Sequence, residues 1–188
     1  AIVPTNPHHL RNRDTEFPFR PDSDFQYLTG FAEPEAVAVL IPGRPQGEYI
    51  LFCRERDPAK ETWTGRRAGP EGAREHFGAD DAFPIADLDD IMPGLLENRG
   101  KVFYSLGAHG EFDQRVLGWV NSLRAKVRAG IHVPSEFVDL GHLLHDLRLF
   151  KSAAEMKVMR RAADISAAAH CRAMRVCQPG MWEYQIEA

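Results

Sequence analysis

The sequence predicts an α/β domain, a mixed β-sheet flanked by helices, followed by the first helix of a second domain. Three observations carry this expectation. Runs rich in β-branched and aromatic residues, Val37 to Ile41, Tyr49 to Cys53 and Lys101 to Leu106, alternate with stretches of helical period such as Glu111 to Val127, the pattern of helices packed on a sheet. The segment Pro42-Gly43-Arg44-Pro45-Gln46-Gly47 joins the first two runs and is dense enough in turn formers to make them antiparallel neighbours. Ser152-Ala153-Ala154-Glu155 has the form of a capping box, in which hydroxyl and carboxylate serve the free amides of a helix start.

Along the chain, residues 1–34 are rich in Pro, Asp and Arg without a sustained period. Within them Ala1-Ile2-Val3-Pro4 reads as the tail of a strand, and Asp24 to Leu28 as one helical turn ending at Gly30. After the paired strands, Glu71 to Phe77 is a short helix closed by Gly78. Ala82-Phe83-Pro84-Ile85 is an edge strand, because proline has no amide to give a central ladder. Asp87 is expected to cap the next helix. Lys101 to Leu106 is a strand, and Glu111 to Val127 a helix whose Phe112, Val116, Trp119, Val120 and Leu123 recur at three- and four-residue steps. Phe137 to Leu140 and the leucine-dense stretch Leu143 to Phe150 close the domain, placing the boundary at Lys151: residues 1–151 in the first domain, 152–188 in the second. The long helix from Ala153 to Cys177 carries a small apolar stripe of Val158, Ala162, Ile165, Ala169 and Val176 for packing on a partner surface.

At 188 residues and 44% hydrophobic content the chain can bury a full core and leave an appendage. A formal net charge of −4 gives no field that selects nucleic acid. The longest apolar runs, such as Ala36 to Ile41, are far too short to span a bilayer. Three cysteines, Cys53, Cys171 and Cys177, form no C-x-x-C pair, so they read as buried, reduced thiols of a cytoplasmic protein. The first residue is not methionine, and Trp182 to Ile186 opens an element cut off at Ala188; the chain therefore reads as a fragment of something larger.

The eight histidines make no clear catalytic group. His142-x-x-His145-Asp146 has a spacing compatible with a metal but lacks a third ligand. His8-His9 falls in a loop, and His170 on the long helix reads as a solvated or hydrogen-bonded imidazole. H-E-x-x-H, G-x-S-x-G and phosphate-loop motifs are absent. The unusual segments are Arg11 to Arg20, with Asp22 to Phe25 behind it, and Glu61-Thr62-Trp63-Thr64-Gly65-Arg66-Arg67, which mix charge with aromatics and read as loops.

Several stretches together carry a family resemblance: Asp14-Thr-Glu-Phe-Pro-Phe-Arg20, Ser23-Asp-Phe-Gln-Tyr-Leu-Thr-Gly-Phe31, Glu33-Pro-Glu-Ala-Val37, Trp63-Thr-Gly-Arg-Arg67, and Leu147-Arg-Leu-Phe-Lys-Ser152 followed by Glu155 and Arg160-Arg161-Ala162. In order and spacing they resemble the N-terminal domain of the bacterial aminopeptidase P (Xaa-Pro aminopeptidase) family, within the creatinase and prolidase superfamily. The resemblance implies that Ser152 opens a pita-bread metallopeptidase domain whose Asp, Asp, His, Glu, Glu ligand series for two manganese ions lies downstream. It assigns no catalytic or metal residue to this chain, which alone is expected to be inactive. It also implies a homo-oligomer, a dimer or tetramer, acting on proline-containing peptides. In it the tryptophan matching Trp63 stands at the mouth of a neighbouring subunit's active site, against the substrate proline. Asp14 and Arg128 match positions in a polar network near the active-site entrance. Two other readings share this body: a metal-free superfamily member that binds proteins, and a prolidase restricted to dipeptides. The W-x-G-R-R segment favours the aminopeptidase.

Overall fold

The computed structural model describes residues 1–187 of the chain, which divide into two compact units, Ala1–Leu144 and a second that begins at His145. In the first unit a mixed sheet forms as the sequence predicts. Its strands are β1 (Ile2–Pro4), β2 (Val37–Leu40), β3 (Tyr49–Cys53) and β4 (Asp81–Pro84), adjacent in that order. The pairs β1–β2 and β2–β3 are antiparallel, and β3–β4 is parallel. The turn between β2 and β3 is closed by a hydrogen bond from Ile41 N to Glu48 O at 2.8 Å and by the Glu48 side chain, whose Oε1 accepts from Gly43 N at 2.6 Å. A parallel partner for β3 requires a crossover. Helices α2 (Pro58–Thr64) and α3 (Gly69–Phe77) provide it. Pro84 lies on the sheet edge, where its missing amide breaks no ladder.

Both faces of the sheet are covered, which is why β2 and β3 read as unbroken apolar runs rather than alternating ones. Strand residues still sort by parity. Val37, Val39, Ile50 and Phe52 face a core with Leu88 and Met92 of α4 (Leu88–Leu96) and Val116, Trp119 and Leu123 of α5 (Gly110–Arg124). Ala38, Leu51 and Cys53 face another, with Phe25 of α1 (Ser23–Thr29), Phe31, Ala73 of α3 and Leu140. Aromatic rings pack the entry segment onto this face: Phe31 meets Phe25 and Phe77 edge to face, with ring centroids 6.5 and 4.9 Å apart.

The structure corrects several expectations. Lys101 to Leu106 does not join the main sheet; β5 (Lys101–Phe103) pairs in parallel with β6 (Glu136–Val138) as a separate ribbon. The strand ends there because Gly107 N turns back to Asp113 Oδ2 at 3.0 Å, while Tyr104 Oη donates to Asp113 Oδ1 at 2.6 Å. Asp87 makes no capping hydrogen bond; a 3-10 turn over Ile85–Asp87 leads into α4 instead. Glu61 to Thr64 is not loop but the end of α2.

The second unit holds the end of α6 (Leu140–Leu149), the long α7 (Ala153–Val176) and α8 (Glu183–Glu187). Both arms of the capping box are formed: Glu155 N donates to Ser152 Oγ at 3.2 Å and Ser152 N to Glu155 Oε2 at 2.7 Å. α7 has no buried residue: its Cys171 is exposed, and Cys177 at its C-cap is exposed as well; of the three thiols expected to be buried, only Cys53 is. Burial in the apolar core pushes the Cys53 thiol up to about 12. Among the described residues, no helix is long and apolar enough to cross a membrane.

Candidate functional site

Trp63 stands on α2, a seven-residue helix with no buried residue. A helix that short does not persist on propensity alone, and here its ends hold it. Asp57 Oδ1 accepts from Ala59 N and Lys60 N at 3.1 and 3.2 Å. Pro58 takes the first turn, where a missing amide costs nothing. Gly65 N closes the far end on Glu61 O at 3.0 Å. Arg56 clasps the middle, its Nε and Nη2 each donating to Glu61 carboxylate oxygens at 3.3 Å in a side-on fork. That fork is the main cause holding the Glu61 carboxyl below the usual range; the Lys60 amide is the main cause for Asp57. Gly69 makes the clasp possible: its φ is +69°, and a Cβ there would come within 2.7 Å of Arg56 Cγ. The outcome is an indole 88% exposed on a fixed backbone.

Beneath it, Trp63, Phe19 and Pro34 line a cleft of about 510 Å³ together with Arg54, Arg66 and Arg67. Arg54 Nη2 lies 3.5 Å from Glu33 Oε2, and Glu33's other oxygen accepts from Ala68 N at 2.7 Å. This carboxylate thus ties the end of β3 to the start of α3. His8 and Glu16, also on the cleft wall, are 3.0 Å apart and form the stem of the loop that carries Asp14. The loop is a tight reversal: Leu10 bridges Glu16, and Asn12 Oδ1 accepts from Asp14 N and Thr15 N at 3.0 and 2.8 Å. Asp14 sits at its exposed tip, so the structure brings the Asp14 loop and Trp63 into one neighbourhood. Arg128 lies elsewhere, exposed in a 3-10 turn over Val127–Ala129 after α5. No hydrogen bond or ion pair among the described residues joins Arg128 to Asp14 or Trp63.

A second cleft of about 490 Å³, between Pro4, Pro7, Ile85 and Phe112, holds none of the three residues singled out from the sequence. Among the described residues, no three His, Cys, Asp or Glu side chains converge to hold an ion. His142 and His145 therefore do not extend to a metal centre, and the residues here do not fit the manganese pair. Sequence reasoning missed the Arg56–Glu61 clasp and the Arg54–Glu33–Ala68 tie. The adjacent Asp57-Pro58, a helix-start pair, was the readable signal for α2.

Residues 1–104 match the family model described as the aminopeptidase P, N-terminal domain. The chain belongs to this family. Across its whole length it is 39% identical to the Xaa-Pro aminopeptidase of Escherichia coli strain K12, covering 43% of that protein. The aminopeptidase PepP of Pseudomonas aeruginosa superimposes on 99% of the chain with a TM-score of 0.94 and 62% identity, the chain covering 42% of it. A zinc-substituted E. coli aminopeptidase P in complex with product superimposes with a TM-score of 0.91 at 39% identity. This aminopeptidase P domain thus spans less than half the length of these relatives.

Proposed function

We propose that the chain is the N-terminal part of a metal-dependent aminopeptidase that releases the residue preceding a proline in second position. In this reading residues 1–151 form a substrate-gating, oligomerising domain and residues 152–188 begin the pita-bread domain. The observation that carries it is Trp63: a large apolar side chain, almost fully exposed, on a helix that buries nothing and is pinned by caps and an arginine fork. A presented indole is costly to leave in water and suits the flat, donor-less ring of proline. Trp63 is therefore assigned to the substrate proline in a neighbouring subunit's active site, with Asp14 and Arg128 as polar contributors at that entrance. The whole enzyme is a cytoplasmic dimer or tetramer, and the two manganese ions belong to residues outside this chain, which alone is inactive.

The test is Trp63→Ala in the full-length enzyme, comparing Xaa-Pro with Xaa-Ala peptides. Loss of the aromatic contact is expected to weaken proline selection by about 1–2 kcal/mol, roughly a 5- to 30-fold fall in the ratio of kcat/KM values. An unchanged ratio removes Trp63 from the site.

A further inference from the structure

Three arginines line the Trp63 cleft, and their donors are poorly spent. Arg54 Nε and Arg67 Nε are shielded from water and have no acceptor among the described residues, a condition uncommon for buried polar atoms. The remaining bonds of Arg67 are long, 3.4 Å from Nη1 to Glu55 O and 3.5 Å from Nη2 to Thr64 Oγ1, at the outer limit of useful geometry. Among the described residues, Arg54 has only the 3.5 Å contact to Glu33, a carboxylate already engaged by Ala68 N. Arg66 is exposed and makes no hydrogen bond or ion pair among the described residues. Of the acids lining the cleft, Glu16 faces His8 and Glu33 accepts from Ala68 N, and Glu35 lines it too; Glu71 and Glu75 line an adjoining cleft with Arg66 and Arg67. An apolar wall of Trp63 and Phe19 thus stands beside a set of guanidinium groups whose best geometry is unused.

We infer that this cleft is a carboxylate-reading subsite, in which Arg66 and Arg67 take a carboxylate carried on the downstream side of a peptide whose proline packs on Trp63. The inference rests on the reading of Trp63 proposed above. A carboxylate is the natural ligand because its two oxygens match a pair of N–H donors on one guanidinium, which a single carbonyl cannot. The carboxylate can come from the peptide's own C-terminus or from an acidic side chain.

The test uses the full-length enzyme and three Xaa-Pro peptides of equal length: one with a free C-terminus, one amidated but with Glu after the proline, and one amidated with Gln there. Both carboxylate-bearing peptides are expected to show KM values lower by about 3- to 10-fold, with kcat little changed, a gain that shrinks in high salt. Preference for only one of the two assigns the source of the carboxylate. In Arg66→Gln, whose side chain supports nothing else, the preference falls toward unity while selection of proline over alanine stays intact; Arg67→Gln does the same. Calorimetric binding of the same peptides in amino-acetylated, uncleaved form gives the reading independently of turnover. Equal KM values and equal affinities for all three peptides, or a preference untouched by Arg66→Gln, overturn the inference. Proline selection measured alongside judges Trp63 separately.

Discussion

Single residues decide this domain where a polar atom meets the core. Trp119 is 4% exposed, and its indole N–H donates to Asp89 Oδ1 at 2.8 Å, while Arg115 Nε reaches the same oxygen at 3.0 Å and stacks near the Trp119 ring. Removing that acceptor leaves the indole donor unpaired, so Asp89→Ala is expected to destabilise the first unit by about 1 kcal/mol, the low end for a donor that water can partly reach. A shifted urea midpoint with unchanged slope is the check. Partial burial raises the Asp89 pKa, but the bonds from Arg115 and Trp119 outweigh it and leave it below the usual carboxylate value. The sign follows from linkage: with the folded value lower than the unfolded one, the stabilisation is fully present above about pH 4 and lost as pH falls through the folded value. The stability gap between wild type and Asp89→Asn should therefore be constant near neutrality and close below about pH 4. Arg54 and Glu33 show why such residues escape a reading of the sequence: the partners of Glu33 lie 21 and 35 positions away, and no local pattern connects them.

At the scale of elements, α2 differs from every helix that contributes to the cores, because it has no apolar face to hold it. Its persistence depends on the Asp57 cap and the Arg56–Glu61 fork, both of which are stronger with ionised carboxylates. Asp57→Ala is expected to raise amide exchange across residues 58–64 while leaving exchange in β2 and β3 unchanged, and in the full-length enzyme to lower proline selection in the direction of Trp63→Ala. The carboxyls of Asp57 and Glu61 both lie below their usual values, so the helix stays ordered above about pH 4 and loosens as pH falls through those lowered values. Exchange in 58–64 that is indifferent to both the substitution and acid would show that something other than its ends orders α2. Strands β2 and β3 and helix α7 were readable because their causes are local: β-branched runs around a turn, and a capping box. α2 was misjudged because tryptophan among charges suggests a loop, and the separate β5–β6 ribbon was missed because a partner 35 positions away (Lys101 to Glu136) leaves no mark on either segment.

For the chain as a whole, the part of the candidate site legible in the sequence is the part carried by resemblance: the Asp14 loop and the segment from Trp63 to Arg67 are recognisable that way, whereas the use proposed for the guanidinium groups beneath the indole comes from geometry. The same division applies to α7. Its periodicity identifies one stripe, yet period says nothing of whether that stripe is covered, and Val158, Ile165 and Val176 are exposed. So are Cys171 and Cys177, against the expectation of buried thiols. Small residues at 162 and 169 let another helix approach closely between the larger side chains. Apolar stripes of this extent in water drive association. The 188-residue chain on its own is therefore expected to self-associate with rising concentration in sedimentation velocity, and Val158→Lys combined with Ile165→Lys to return it to monomer without altering its helical circular dichroism. Both substitutions place charge on the stripe while retaining a good helix former, so a change in association reports the surface rather than the fold. Association that survives the double substitution would locate the contact elsewhere, with exposed Phe150 and Trp182 the next apolar side chains to test.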